Sequence, residues 1–268
     1  MDNLALKLVL TPALIGAATL AGRRWGQSVG GWLVGLPLTT GPVAFFIALD
    51  HGAAFGAAAV LGSLVGAVAE AAFSVVYAWS AVRGPRLFPR GFQGWPPALL
   101  AGSAAYAATA LLLQPLGLGP MALAVVIVAA LGLSLRLMPA GGGSAPVTPA
   151  PRWDLPARMV LATAVVLALT ALAPWLGARL AGLLATYPLF AAILTAFGHR
   201  IQGVGAALGV LRGLLFGLFS FAGFCLVLAL GLVPLGIAAA FAAAIAVALL
   251  VQGLALWRLR APRPAGAP

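Results

Sequence analysis

The sequence predicts an all-α polytopic membrane protein of nine transmembrane helices, an inverted repeat of four spans plus four spans with one connecting helix. Three observations lead there. The 268 residues are 63% hydrophobic and 7% charged, with a mean hydropathy of +1.12, whereas a soluble domain carries about 25% charged residues. The chain matches itself at an offset of 151, so that residues 9–76 fall on 160–227 without a gap. Its basic residues also collect on one side of the membrane once the apolar runs are counted.

The runs are 5–22, 28–49, 53–82, 97–115, 119–138, 157–175, 180–198, 203–230 and 233–257. Most are near the twenty residues that a helix needs to cross a bilayer, and the alternation of barrel strands is missing. The first run has Lys7 near its start and Arg23 and Arg24 behind it, the reverse of a secretory signal, so it reads as a span. The third and eighth are long enough to tilt. A Pro/Gly turn around Pro115–Gly119 separates the fourth from the fifth. The segment 139–156, PAGGGSAPVTPAPRWDLP, reads as a flexible cytoplasmic linker. The first repeat then occupies 1–118, the connecting helix 119–138, the second repeat 157–260 and a tail 261–268.

Nine spans place Arg23, Arg24, Arg83, Arg86, Arg90, Arg136, Arg152, Arg158, Arg200, Arg258, Arg260 and Arg263 on one side, and only Lys7 and Arg179 on the other. By the positive-inside rule the Arg-rich side is cytoplasmic, the N-terminus outside and the C-terminus inside. The net charge of +11 is therefore met by the anionic headgroups of the lipid bilayer rather than by nucleic acid. Fourteen Arg against one Lys, with abundant Ala, Gly and Pro, suggest a GC-rich bacterial genome and so an inner-membrane location. A homodimer is compatible with all of this. Cys225 is the only cysteine, which leaves no intrachain disulfide and no thiolate metal cluster.

The repeat pairs Gly26 with Gly177, Gly31 with Gly182, Pro37 with Pro188, Gly52 with Gly203, Gly62 with Gly213 and Gly66 with Gly217. About a quarter of the aligned positions are identical, where this composition gives about a tenth by chance. Past residue 76 the match resumes at Gly94–Pro97 and Gly231–Pro234, if the Arg-rich loop counts as an insertion of about 14 residues. Two four-span units joined directly would be parallel. The fifth span flips the second, which makes the repeat inverted.

Pro37 and Pro188 lie near the middle of their spans, beside Thr39, Thr40, Thr186 and Tyr187. A proline removes a backbone hydrogen bond, and the freed carbonyl needs a partner inside the protein. Matched breaks in two halves point to a midplane binding site, although prolines in such helices also serve as plain kinks. Glu70 and Arg212 are the ionisable side chains deep within the spans. At similar depths they read as a buried ion pair, with proton or ion coupling through Glu70 as the alternative; Arg212 can also snorkel to the headgroups. The stripes Gly62-x-x-x-Gly66 and Gly213-x-x-x-Gly217 let helix backbones approach closely, so the third and eighth spans are expected to cross there. His51 and His199 sit at span ends on opposite faces and read as solvated. With no phosphate-binding loop, metal motif or nucleophile–base pair, neither an enzyme nor a cofactor is expected.

The run 180–193, LAGLLATYPLFAAI, followed by His199, Arg200 and Gly203, resembles the GlpM family of small bacterial inner-membrane proteins. The first repeat, GWLVGLPL at 31–38, looks similar. The resemblance implies two fused four-span units and a link to exopolysaccharide production, and it carries over no catalytic residue. The inverted architecture is also similar to that of the drug/metabolite transporter superfamily. The expected function is that of a secondary carrier for a small, weakly charged or amphipathic solute, with its site between the Pro37 and Pro188 helices. The alternative is a non-transporting accessory or assembly factor for envelope polymers. The topology is testable first: reporter fusions should place the two termini on opposite sides of the membrane, and termini on the same side would remove both the nine spans and the inversion.

Overall fold

A computed structural model describes residues 4–37, 40–87, 94–140, 151–185 and 187–260, without the side chains of 4–7, 10, 85–87, 169–170, 172–185 and 258–260. The described chain is helical, with no strand. In order it forms α1 (Leu4–Trp25), α2 (Gln27–Val34), α3 (Thr40–His51), α4 (Ala53–Leu87), α5 (Trp95–Leu113) with a 3-10 turn at Gln114–Leu116, α6 (Pro120–Leu137), α7 (Asp154–Ala185), α8 (Leu189–Gln202), α9 (Val204–Leu235) and α10 (Ile237–Arg260).

Side-chain size sorts the inside from the outside. On α5 the buried stripe is Ala98, Gly102, Tyr106 and Ala110, while Leu100, Leu111 and Leu112 face outward. On α10 the inner stripe Ala240, Ala244, Ala248 and Gln252 opposes exposed Ile245, Leu249, Leu250 and Leu254. Water would penalise those outer faces, and lipid accepts them. Helices that are apolar all round belong in a membrane. The fold is thus membrane-embedded, with five described helices long and apolar enough to cross: Ala53–Gly84, Trp95–Leu116, Pro120–Leu137, Val204–Leu235 and Ile237–Trp257.

These five cover the third, fourth, fifth, eighth and ninth expected spans; α1 and α7 run continuously through the first and sixth, and the second and seventh are built differently. The second, 28–49, is two pieces, α2 and α3, interrupted around Pro37. The seventh, 180–198, is the end of α7 followed by α8, interrupted around Pro188. No piece of α2, α3 or α8 reaches 18 residues. The turn expected near 176–179 does not interrupt α7, although its counterpart Gly26 turns the chain with φ 101. A glycine permits that conformation and does not compel it. The ninth span also starts later than expected. Pro234 lies inside the last turn of α9, and the chain turns at Gly236.

Several boundaries carry the 151-residue offset. α2 ends at Val34 and α7 at Ala185; α3 ends at His51 and α8 at Gln202; α4 starts at Ala53 and α9 at Val204. Between them Gly52 and Gly203 adopt φ of 89 and 86, a left-handed turn that only glycine makes cheaply.

α9 is the hub, packed against α2, α4, α6, α8 and α10. Its contact with α2 is backbone on backbone. A Cβ on Gly31 would run into the Val210 carbonyl, one on Gly213 into the Ser28 carbonyl, and one on Gly35 would come within 2.5 Å of Gly217 Cα. Lipid gives apolar helices little reason to associate, so such close van der Waals contact holds them. Gly62, the repeat partner of Gly213, is exposed and has no neighbour within 4 Å of a built Cβ. The pair makes a sharp test. Gly31→Ala or Gly213→Ala should destabilise by about 3 kcal/mol through overpacking, and Gly62→Ala should stay within about 1 kcal/mol of native, on the stabilising side, as read by unfolding in detergent.

Candidate functional site

Both breaks end on the same device. The Pro37 carbonyl accepts the Gly41 N–H at 2.8 Å, and the Pro188 carbonyl accepts the Ala192 N–H at 2.8 Å. Each proline therefore caps the helix that follows, where its missing N–H costs nothing. At both prolines the helix stops and restarts rather than only kinking.

The two breaks seat on different supports. The first lies on α9, with Gly35 against Gly217 and Gly41 facing the Phe224 ring. The second lies on α4 and α5. Tyr187 Oη and Ser103 Oγ are 2.7 Å apart, and the Tyr187 ring meets Tyr106 at 5.4 Å and Phe73 at 6.2 Å, edge to face in both cases. The first break's Leu36 and the second's Phe190 nevertheless share a small cavity of about 50 Å³ with Leu14, Ala18, Leu33 and Val34. The lining is apolar, and neither of the described hydroxyl residues expected at the site, Thr40 and Tyr187, lines it. Thr40 is half-buried at the start of α3, Tyr187 is half-buried and Pro188 buried. Thr39 and Thr186 lie outside the described residues.

The Glu70–Arg212 pair is not made. Among the described residues the ion pairs are Arg23–Asp154 and Arg158–Asp154. Glu70 is half-buried on α4, and Arg212 donates from Nη2 to the Pro139 carbonyl at 2.8 Å. That carbonyl sits two residues past the end of α6, where the helix leaves acceptors unsatisfied. A long guanidinium reaches such an acceptor more cheaply than it crosses a helix interface. The expected crossing of the two glycine stripes also differs. Gly213 and Gly217 meet Ser28, Trp32 and Gly35 of α2 and its end, while Gly62 meets nothing and Gly66 is buried on α4.

The sequence reading missed a set of polar contacts that join elements far apart in the chain. Asp154, taken as part of the linker, opens α7 fully buried between Arg23 Nη2 at 2.7 Å and Arg158 Nε at 2.8 Å. Its i,i+4 spacing with Arg158 was a usable signal. Gln27 donates to Gln202 at 2.8 Å. Gln252 donates to the Trp32 carbonyl at 2.9 Å, and Trp32 Nε1 returns a bond to the Gln252 carbonyl at 3.3 Å. His199 is buried rather than solvated, with Nδ1 3.2 Å from the Tyr77 hydroxyl. The Thr195 hydroxyl, one turn earlier, is buried without a partner among the described residues. Cys225 is free and buried.

Fold and site together define an all-helical, membrane-embedded protein whose two interrupted helices meet beside one apolar cavity. No family model, curated protein or solved structure matches the chain.

Because Glu70 and Arg212 have separate environments, a double-mutant cycle of Glu70→Gln and Arg212→Gln should be additive within about 0.5 kcal/mol. The Ser103→Ala and Tyr187→Phe cycle should instead show coupling of about 1 kcal/mol, the net worth of one hydrogen bond. Thermal unfolding of the four single and two double variants measures both.

Proposed function

We propose that the protein is a secondary carrier of the bacterial inner membrane, with nine crossings, the N-terminus outside, and two inverted halves that bind a weakly charged or amphipathic solute at the helix breaks. One observation carries the reading. Each half interrupts a helix at the same repeat position, and each interruption seats on long helices of the other half: Gly35 on α9, Tyr187 on α4 and α5. Discontinuous helices at the interface of two inverted halves are how many carriers build a midplane site. Supporting it, the contacts Arg23–Asp154, Gln27–Gln202, Tyr77–His199 and Arg212–Pro139 all join residues that nine alternating crossings put on the Arg-rich side. In this reading Thr39, Thr40, Thr186 and Tyr187 offer hydroxyls to the solute, and Glu70, which makes no ion pair among the described residues, is available for proton coupling.

A second reading rests on the tight packing at the breaks, where the cavity is small and lined by apolar side chains. It makes the protein a non-transporting accessory factor, in keeping with the resemblance to the GlpM family and its link to envelope polysaccharide. Alternating access separates the two. In a Cys225→Ala background, Ser103→Cys should react with a membrane-impermeant thiol reagent from either face, in right-side-out and in inverted vesicles. Protection from both faces would overturn the carrier and leave the scaffold.

A further inference from the structure

The cavity shared by the two breaks and the charged cluster at the ends of α1 and α7 occupy one interface. Leu14 and Ala18 of α1, Leu33 and Val34 of α2, and Phe190 of α8 line the cavity. Further along the same helices, towards the Arg-rich end, lie Arg23 on α1, Gln27 on α2 and Gln202 on α8, bonded as Arg23–Asp154 and Gln27–Gln202. At about 1.5 Å per residue, Arg23 is about 7 Å along the axis from Ala18, and Gln27 about 9 Å from Leu33. The polar contacts therefore form a floor under the apolar space. They join α1 and α2 of the first half to α7 and α8 of the second.

We propose that this cavity is the apolar pocket of the solute site, and that the Arg23–Asp154–Arg158 cluster with Gln27–Gln202 is the gate closing it towards the Arg-rich side. The proposal rests on the carrier reading and names its solute class: an amphiphile with an apolar chain and an anionic or neutral head. The chain suits the aliphatic lining. The head follows from charge: two guanidiniums share one carboxylate, so the floor keeps an excess positive charge that draws anions and repels cations. The gate is one-sided. At the 151-residue offset Lys7 stands for Arg158, but Asn3 stands for Asp154, Pro174 for Arg23 and Ala178 for Gln27, so the sequence does not repeat this carboxylate-centred cluster at the opposite end. Buried pairs suit a gate because they are two-state. The geometry is held by bidentate sharing of one carboxylate, and loss of one partner leaves a charge that seeks water.

The test needs no identified solute. Ala18→Cys in the Cys225→Ala background places one thiol on the cavity wall, and a membrane-impermeant uncharged thiol reagent is applied from the Arg-rich side. Arg23→Gln removes the part-exposed partner and leaves Asp154–Arg158 intact, so the fold is kept; Asp154→Asn removes the whole cluster. Labelling should quicken about tenfold in Arg23→Gln, the factor that about 1.4 kcal/mol of lost gate stability produces, and further in Asp154→Asn. An unchanged rate in an Arg23→Gln protein of native elution profile would overturn the gate. In the opened variant, sodium decanoate should slow labelling and decyltrimethylammonium should not; equal protection by both, or by neither, would overturn the solute class. The carrier reading fails separately, since it requires Ser103→Cys to label from both faces. Two-sided labelling with an unchanged Ala18→Cys rate sinks the gate alone.

Discussion

The contact of α2 with α9 sets the frame for the rest of the structure. In lipid there is little hydrophobic gain in bringing two apolar helices together, so position must come from how closely backbones fit. Gly31 and Gly35 on one side and Gly213 and Gly217 on the other leave no room for a single Cβ. On its other face α2 meets α1 as tightly: a Cβ on Gly30 would stand 2.8 Å from the Ala18 carbonyl. An eight-residue helix would be marginal alone. Held on two faces, α2 is fixed, and so is the interruption that follows it.

That interruption has to satisfy a second constraint, since backbone groups in lipid need internal partners. Proline resolves it by position. Ahead of a restart its missing N–H takes no bond from the new helix, and its carbonyl accepts an N–H from that helix's first turns. Pro37 with Gly41 and Pro188 with Ala192 both do this at 2.8 Å. The second break adds a side-chain anchor, the Tyr187–Ser103 bond within a nest of Phe73 and Tyr106 edges. The first has only glycine and Phe224 around it. The two breaks thus share a backbone solution and differ in what surrounds it.

What was legible in the sequence follows from this physics. Apolar length is a one-dimensional property, so the long helices α4, α5, α6, α9 and α10 could be read directly, to within a few residues at each end. The helix breaks were pointed to by two prolines at one repeat offset. Partner choice was not legible. Gly62 and Gly213 have the same spacing signal and the same repeat position, yet only Gly213 has a backbone against it, because small residues permit an approach without saying whose. Arg212 was matched to Glu70 because a carboxylate has a letter in the sequence; one acceptor it does reach is the Pro139 main-chain carbonyl, which has none. Asp154 was lost in a segment rich in Gly, Pro and Ala, although its own spacing to Arg158 announced a helix start with an acidic first turn.

The described contacts also differ from helix to helix. α9 is bound to α2, α4, α6, α8 and α10 along much of its length, and pulling any of them away would forfeit dispersion along a whole face. α7 is different. It is as long as α9 and packs chiefly on α1 and α8; near its start Met159 lies beside Gly16 and Ala162 joins Ile15 and Ala18. Its first residue carries a buried carboxylate shared between Arg23 and its own Arg158. The hub supplies the frame, and the carboxylate of Asp154, buried between Arg23 and Arg158, ties the start of α7 to the end of α1 across 131 residues of chain, as a buried charge requires a partner.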